Sequence, residues 1–250
     1  MTADTRTIAG IPVLHFTPEG TETKLPTVLL YHGWGGTVEH YRFFGTMLSQ
    51  FGFQVIVPEI PLHGERGALA NYYSPEGFAR FWEVICKGVH EGKELIGELT
   101  ASGMVDPKRL GIVGHSLGGG IASGLFAHSE AAALVTINGA SAYEFAEVMW
   151  RKVDGRSAAT DAELQPLREL DPVRFAEQIA PRPVLFLHGD ADTQVPLPVG
   201  ETLHAALKPY YAEQPELLHF ETSARLDHFI TLGMLEETVN WLKKHIANPR

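Results

Sequence analysis

Short apolar runs recur along the chain at TVLLY (27–31), FQVIV (53–57), LGIV (110–113), ALVTI (133–137), VLFLH (184–188) and LLHFE (217–221). They are too short for stable helices and rich in branched and aromatic residues, so the pattern predicts core strands. The stretch around 6–16 predicts one or two further strands at an edge. Between these runs, apolar residues spaced by three and four predict amphipathic helices at roughly 38–51, 76–102, 117–129, 198–210 and 229–247. In the second of these the predicted buried face is Phe78, Phe81, Trp82, Ile85 and Val89, with Cys86 on its border in a packing role. Strands alternating with helices predict one α/β domain over 1–250, built on a mostly parallel, doubly wound sheet of about eight strands with helices on both faces.

Residues 140–180 interrupt this rhythm. Two weaker helical patterns, about 142–153 and 161–170, precede a turn at Asp171-Pro172 and a short helix to Ala180. They predict a small helical cap inserted in the domain, its first helix striped with Tyr143, Ala146, Met149, Trp150 and Val153.

In a parallel sheet of this kind, ligands bind beyond the C-terminal ends of the strands, and the polar motifs fall there. GHSLGG at 114–119 follows the strand LGIV and precedes the small-residue run GIASGLFA. That strand-turn-helix context predicts a nucleophile elbow with Ser116 at its apex, where glycines at 114 and 118 relieve collisions across the turn. A phosphate-binding loop is excluded, because no Gly-Lys-Ser/Thr follows and no dinucleotide fingerprint is present.

A serine hydroxyl needs a base, and the base needs an orienting carboxylate. HGDADTQVP at 188–196 follows a strand and supplies Asp192 as the expected acid, with Asp190 as the alternative. His228, in ARLDHFI between the last strand and last helix, is the expected base; His219 falls inside a strand, and Asp227 reads as a turn or capping residue. Two N–H donors should face the oxyanion: the Leu117 amide after the nucleophile, and the Trp34 amide in HGWGG at 32–36. In PLHGER (61–66), His63, Glu65 and Arg66 either touch substrate or support the site; the supporting role is the expectation, with Arg66 pairing with an acid to brace the oxyanion loop.

In order and spacing, YHGWGG, GHSLGG, HGDADTQVP and LDHF resemble the α/β-hydrolase superfamily over essentially the whole chain. More narrowly, the chain resembles small bacterial cytosolic serine esterases near the dienelactone hydrolases and the catalytic domain of prolyl oligopeptidases. The resemblance implies an acyl-enzyme mechanism. It departs from the dienelactone hydrolases proper, which use cysteine where this chain has Ser116, and from the oligopeptidases in having no propeller repeats.

Composition narrows the chemistry further. Thirty acidic residues against twenty Lys and Arg give a formal charge of −10, which argues against a nucleic-acid partner. The opening MTADTRTIAG has no basic start followed by an apolar run, and no stretch of about 18 apolar residues could span a bilayer, so a cytoplasmic location is expected. One cysteine allows no intrachain disulfide. Twelve histidines raise the question of metal, but neither HExxH nor a Cys/His quartet occurs, so no metal or other cofactor is expected; His32 and His188, each before a glycine, read as turn braces.

Tyr41, Phe43, Phe44, Trp34, Phe229 and the cap helix offer apolar surface without a basic cluster, so the expected substrate is a small or medium uncharged acyl ester. A thioesterase, amidase or peptidase would use the same three residues, as would a cofactor-free perhydrolase. A catalytically silent binding protein on the same fold is the alternative from another class.

Overall fold

The computed structural model describes residues 1–20 and 25–247; the rest of the expected domain, 21–24 and 248–250, lies outside the described residues. Its strands are β1 (Thr2–Ile8), β2 (Ile11–Thr17), β3 (Thr27–Tyr31), β4 (Gln54–Pro58), β5 (Leu110–His115), β6 (Ala133–Ile137), β7 (Val184–Gly189) and β8 (Leu218–Ser223). They form one sheet in the order β1-β2-β4-β3-β5-β6-β7-β8. The β1–β2 hairpin is antiparallel and joins β4 antiparallel; every pairing from β4 through β3 to β8 is parallel.

The helices are α1 (Arg42–Gln50), α2 (Pro75–Phe78), α3 (Phe81–Ala101), α4 (Leu117–Ala127), α5 (Tyr143–Val153), α6 (Asp161–Arg168), α7 (Ala176–Ile179), α8 (Pro198–Leu207) and α9 (Leu232–Leu242). Strand side chains alternate between two cores. Val55, Val113, Val135, Leu185 and Leu187 face a layer made by Phe44 and Leu48 of α1 and Leu235 and Val239 of α9. Ile56, Ile112, Leu134, Val184 and Phe186 face the opposite layer, which holds Ile85 and Val89 of α3, Ile121 and Leu125 of α4, and Leu203 of α8. This period of two, with both faces covered, is why the central strands read as continuous apolar runs.

Several boundaries differ from the periodicity. The expected helix over 76–102 is two helices. Ser74 caps the first by accepting the Gly77 N–H at 3.1 Å, and a Cβ on Gly77 would meet the Asn71 carbonyl oxygen at 2.3 Å, so this turn hugs the preceding loop. Phe78 therefore leaves the α3 stripe: it is 51% exposed and packs edge-on against Tyr73. The last run is an edge strand paired only with β7 among the described residues, so its residues are half-exposed rather than core. The last helix starts at Leu232, not 229, because Thr231 caps it by accepting the Met234 N–H.

The 140–180 segment carries α5 to α7 and joins the α3 side of the sheet. Tyr143 is fully buried, and its hydroxyl donates to the Gly120 carbonyl at 2.7 Å. Farther along α5, Trp150 meets Phe81 and Trp82 with centroids 5.3 and 5.6 Å apart, while Val153, expected on the same stripe, is 78% exposed at the helix end. Cys86 is half-buried between α3 and α6, and burial pushes its thiol up to about 11.

Candidate active site

Ser116 joins β5 to α4 with φ 59° and ψ −124°, a conformation that costs a residue with a side chain about 1–3 kcal/mol. Its N–H donates to the Ile137 carbonyl at 2.9 Å, and its carbonyl accepts from Gly120 and Ala140, both at 3.1 Å. The flanking glycines are obligatory: a Cβ on Gly114 would meet the Gly118 oxygen at 2.0 Å, and one on Gly118 would meet the Tyr31 oxygen at 2.4 Å.

Asp192 and His228 meet. Asp192 is buried in the loop after β7, where Oδ1 accepts the Gln194 and Val195 amides at 2.9 Å each. Its Oδ2 lies 2.7 Å from His228 Nδ1 and 3.5 Å from His188 Nε2. With the Nδ1 proton engaged by the carboxylate, Nε2 is the ring nitrogen left to take a proton. Among the described residues no hydrogen bond joins Ser116 Oγ to this ring.

The other acids take other roles. Asp190 accepts the Arg225 N–H at 2.5 Å, tying the acid loop to the turn after β8. Asp227 Oδ1 accepts the Thr193 and His228 amides at 2.8 Å each, and these bonds with the Thr193 hydroxyl hold its carboxyl below the usual range. His219 projects from β8 into solvent, its nearest charged partner being Glu221.

The loop after β3 lies against the serine: a Cβ on Gly33 would sit 3.3 Å from Ser116 Cβ. Within the loop, the Gly33 N–H donates to the Tyr41 hydroxyl at 3.1 Å, Gly35 to His63 Nε2 at 3.0 Å, and Gly36 to the Gly33 carbonyl at 3.0 Å. Among the described residues the Trp34 N–H has no protein acceptor. Leu117 opens α4, where a first-turn N–H has no intrahelical acceptor.

His63 is fixed as the tautomer that donates from Nδ1 to the Pro61 carbonyl at 2.8 Å, and it stacks on Tyr72 with centroids 4.6 Å apart. Burial pushes its pKa down to about 4, so it is neutral and accepts the Gly35 amide. Arg66 forks onto both Glu91 oxygens at 2.8 and 2.7 Å and reaches the Glu59 carbonyl at 2.9 Å. Glu65 is exposed, away from these contacts. His32 bonds through Nδ1 to the Gly33 carbonyl at 3.1 Å, and His188 through Nε2 to the Val195 carbonyl at 2.8 Å.

Three residues at the site carry contacts the motifs did not assign. Tyr41, expected only as apolar surface, accepts from Gly33 and bonds to His115 Nδ1 at 2.7 Å. His115 lies with its ring 5.0 Å from that of His228, and burial first, then His228, pushes it down to about 3. Asn138, with φ 47°, bonds to both the acid loop and the histidine loop. The Asn-Gly pair directly after ALVTI signalled its left-handed backbone.

A groove of about 310 Å³ opens beside Tyr41 and His115, lined also by Phe43, Phe44, Ile230 and Leu232. Trp34 packs edge-on against Phe81 and Tyr72, and Phe229 is 66% exposed. Among the described residues no cluster of three or more His, Cys, Asp or Glu is arranged to hold a metal, and no helix is long and apolar enough to cross a membrane.

Residues 11–215 match the dienelactone hydrolase family. The chain is 28% identical over 255 residues to YitV of Bacillus subtilis (strain 168), covering 97% of this chain and 98% of that one. It is also 28% identical over 253 residues to the esterase YjfP of Escherichia coli (strain K12), again covering 97% and 98%. The crystal structure of TT1662 from Thermus thermophilus superposes with a TM-score of 0.78 at 24% identity, over 98% of this chain and 100% of that one. The sheet is thus that of the α/β-hydrolase fold, and the chain belongs to the dienelactone hydrolase family of hydrolases.

Proposed function

We propose that this hydrolase is a serine carboxylesterase acting on small to medium uncharged acyl esters, with Ser116, His228 and Asp192 as its triad. The observation that carries the reading is the 2.7 Å bond from His228 Nδ1 to Asp192 Oδ2, beside an elbow that holds Ser116 at φ 59°. In the first half-reaction Ser116 Oγ attacks the ester carbonyl and gives its proton to His228 Nε2. The resulting oxyanion is held by the Trp34 and Leu117 amides. The tetrahedral species collapses as His228 protonates the departing alkoxide. Water then gives a proton to His228 as its oxygen attacks the acyl-enzyme; the acid leaves, and Ser116 recovers its proton.

The same reading makes 140–180 a cap beside the site and the protein a cytoplasmic enzyme that needs no metal and binds no nucleic acid. The groove beside Tyr41 and His115, mixed aromatic, aliphatic and polar with no Lys, Arg, Asp or Glu in its lining, supports an uncharged substrate. The test is hydrolysis of p-nitrophenyl esters of increasing acyl length by wild type and Ser116→Ala, with the matching anilides and thioesters alongside. Ester turnover lost in the variant supports the reading. Turnover unchanged in the variant removes Ser116 from the mechanism, and a preference for anilide or thioester reassigns the substrate.

A further inference from the structure

Asn138 directly follows β6, fully buried, with φ 47°. Its own N–H donates to the Leu187 carbonyl at 2.9 Å, extending the ladder to β7. Its side chain leaves the ladder. Oδ1 accepts the Gly189 N–H at 2.9 Å, and Nδ2 donates to the Phe229 carbonyl at 3.1 Å. Gly189 is the last residue of β7, and its carbonyl receives the Asp192 N–H at 3.3 Å. Phe229 is the residue after His228. One primary amide therefore holds the root of the loop bearing the acid and the peptide adjoining the base.

The position demands this residue type twice over. A left-handed backbone suits Asn, Asp or Gly, and the two partners require one acceptor and one donor on a short planar group. Ionised Asp lacks the donor and Gly lacks both. The loops also meet directly, the Ala191 N–H donating to the Leu226 carbonyl at 3.1 Å and a Cβ on Gly189 meeting that oxygen at 2.3 Å, so the amide adds its two bonds at the root of an already close junction.

We propose that Asn138 is a positioning residue for the Asp192–His228 pair, its amide setting the separation of the two loops and hence the aim of His228 at Ser116. The proposal rests on the triad reading. The charged and titratable groups around His228 are Asp192, His188, His115 and Asp227, and β6 itself adds none.

Two variants separate alignment from folding. Asn138→Gly keeps the backbone conformation and removes both side-chain bonds. Asn138→Asp keeps the acceptor for Gly189 and turns an oxygen toward the Phe229 carbonyl; when its carboxyl is protonated, an O–H donor is restored. Both are assayed with p-nitrophenyl butyrate from about pH 5.5 to 8.5, per site titrated to completion with a fluorophosphonate, with circular dichroism as the fold control.

We expect kcat per titrated site to fall by about tenfold to a hundredfold in each variant, with KM within about twofold of wild type. The Asn138→Asp deficit should narrow as pH falls and its carboxyl protonates, while the Asn138→Gly deficit stays constant. Wild-type kcat per site in either folded variant would overturn the proposal, as would an Asn138→Asp deficit that ignores pH. A wild type that the fluorophosphonate fails to label would instead overturn the triad reading.

Discussion

A Cβ added to Gly118 would lie 2.4 Å from the Tyr31 carbonyl oxygen at the end of the neighbouring strand. No side-chain rotation relieves that contact, because the backbone fixes where the Cβ sits and the oxygen is a main-chain carbonyl. Gly118→Ala should therefore lower unfolding free energy by at least about 2 kcal/mol and abolish turnover even in the folded fraction. Urea titration with parallel ester assays measures both; an alanine variant as stable as wild type would contradict the geometry.

Asp192 holds His228 through one oxygen while two amides hold the other. Asp192→Asn keeps the size and offers the ring either a donor or a weaker acceptor. If His228 is the base, kcat should fall by about a thousandfold or more with little change in KM, as in triads where the same exchange leaves the wrong tautomer. A loss of less than tenfold, read by steady-state kinetics, would favour a different acid.

The Tyr41 hydroxyl is shared by the Gly33 amide and His115. In Tyr41→Phe both lose a buried partner, so the variant should be about 1–3 kcal/mol less stable. Its kcat should also drop, since the loop carrying Trp34 loses an anchor one residue away. Unchanged stability and turnover would mean that His63 and the bond from the Trp34 indole to the Tyr72 carbonyl fix the loop without it.

Acid should destabilise the fold through buried histidines. His63 and His115 are pushed down to about 4 and about 3 from 6.5, mainly by burial. Between those values and 6.5 the unfolded chain binds more protons than the folded one, so unfolding free energy declines as pH falls through this window. Urea midpoints at pH 7.0, 5.5 and 4.5 should decrease in that order, and His115→Asn, which cannot take up the proton, should flatten the trend.

What the sequence made legible follows from how local each signal is. Strand cores such as ALVTI were read to the residue, because burial on both faces writes an unbroken apolar run. The placement of Ser116, Asp192 and His228 beyond strand ends is legible because each follows a strand with its own turn chemistry. The split between α2 and α3 was hidden, since Phe78 keeps helical spacing with Phe81 while the backbone carbonyl beneath Gly77 bends the chain away. Arg66 was legible as half of an ion pair, but its partner Glu91, on α3, was not. The role of Asn138 was hidden for the same reason: its partners lie 51 and 91 residues away, distances that no local pattern encodes.

The clamp between Asn138 and Phe229 also bears on the order in which the working enzyme is assembled. The elbow and the loop after β3 belong to adjacent strands, so they are in register as soon as β5 docks on β3. The proposed base, His228, comes from the turn beyond β8, the last strand along the chain and an edge of the sheet. On the triad reading, a growing or nicked chain that ends before that turn would carry Ser116 without its proton acceptor and should be inert toward esters. Turnover would then report that the sheet is complete: on that reading, regain of activity during refolding should lag recovery of helical circular dichroism.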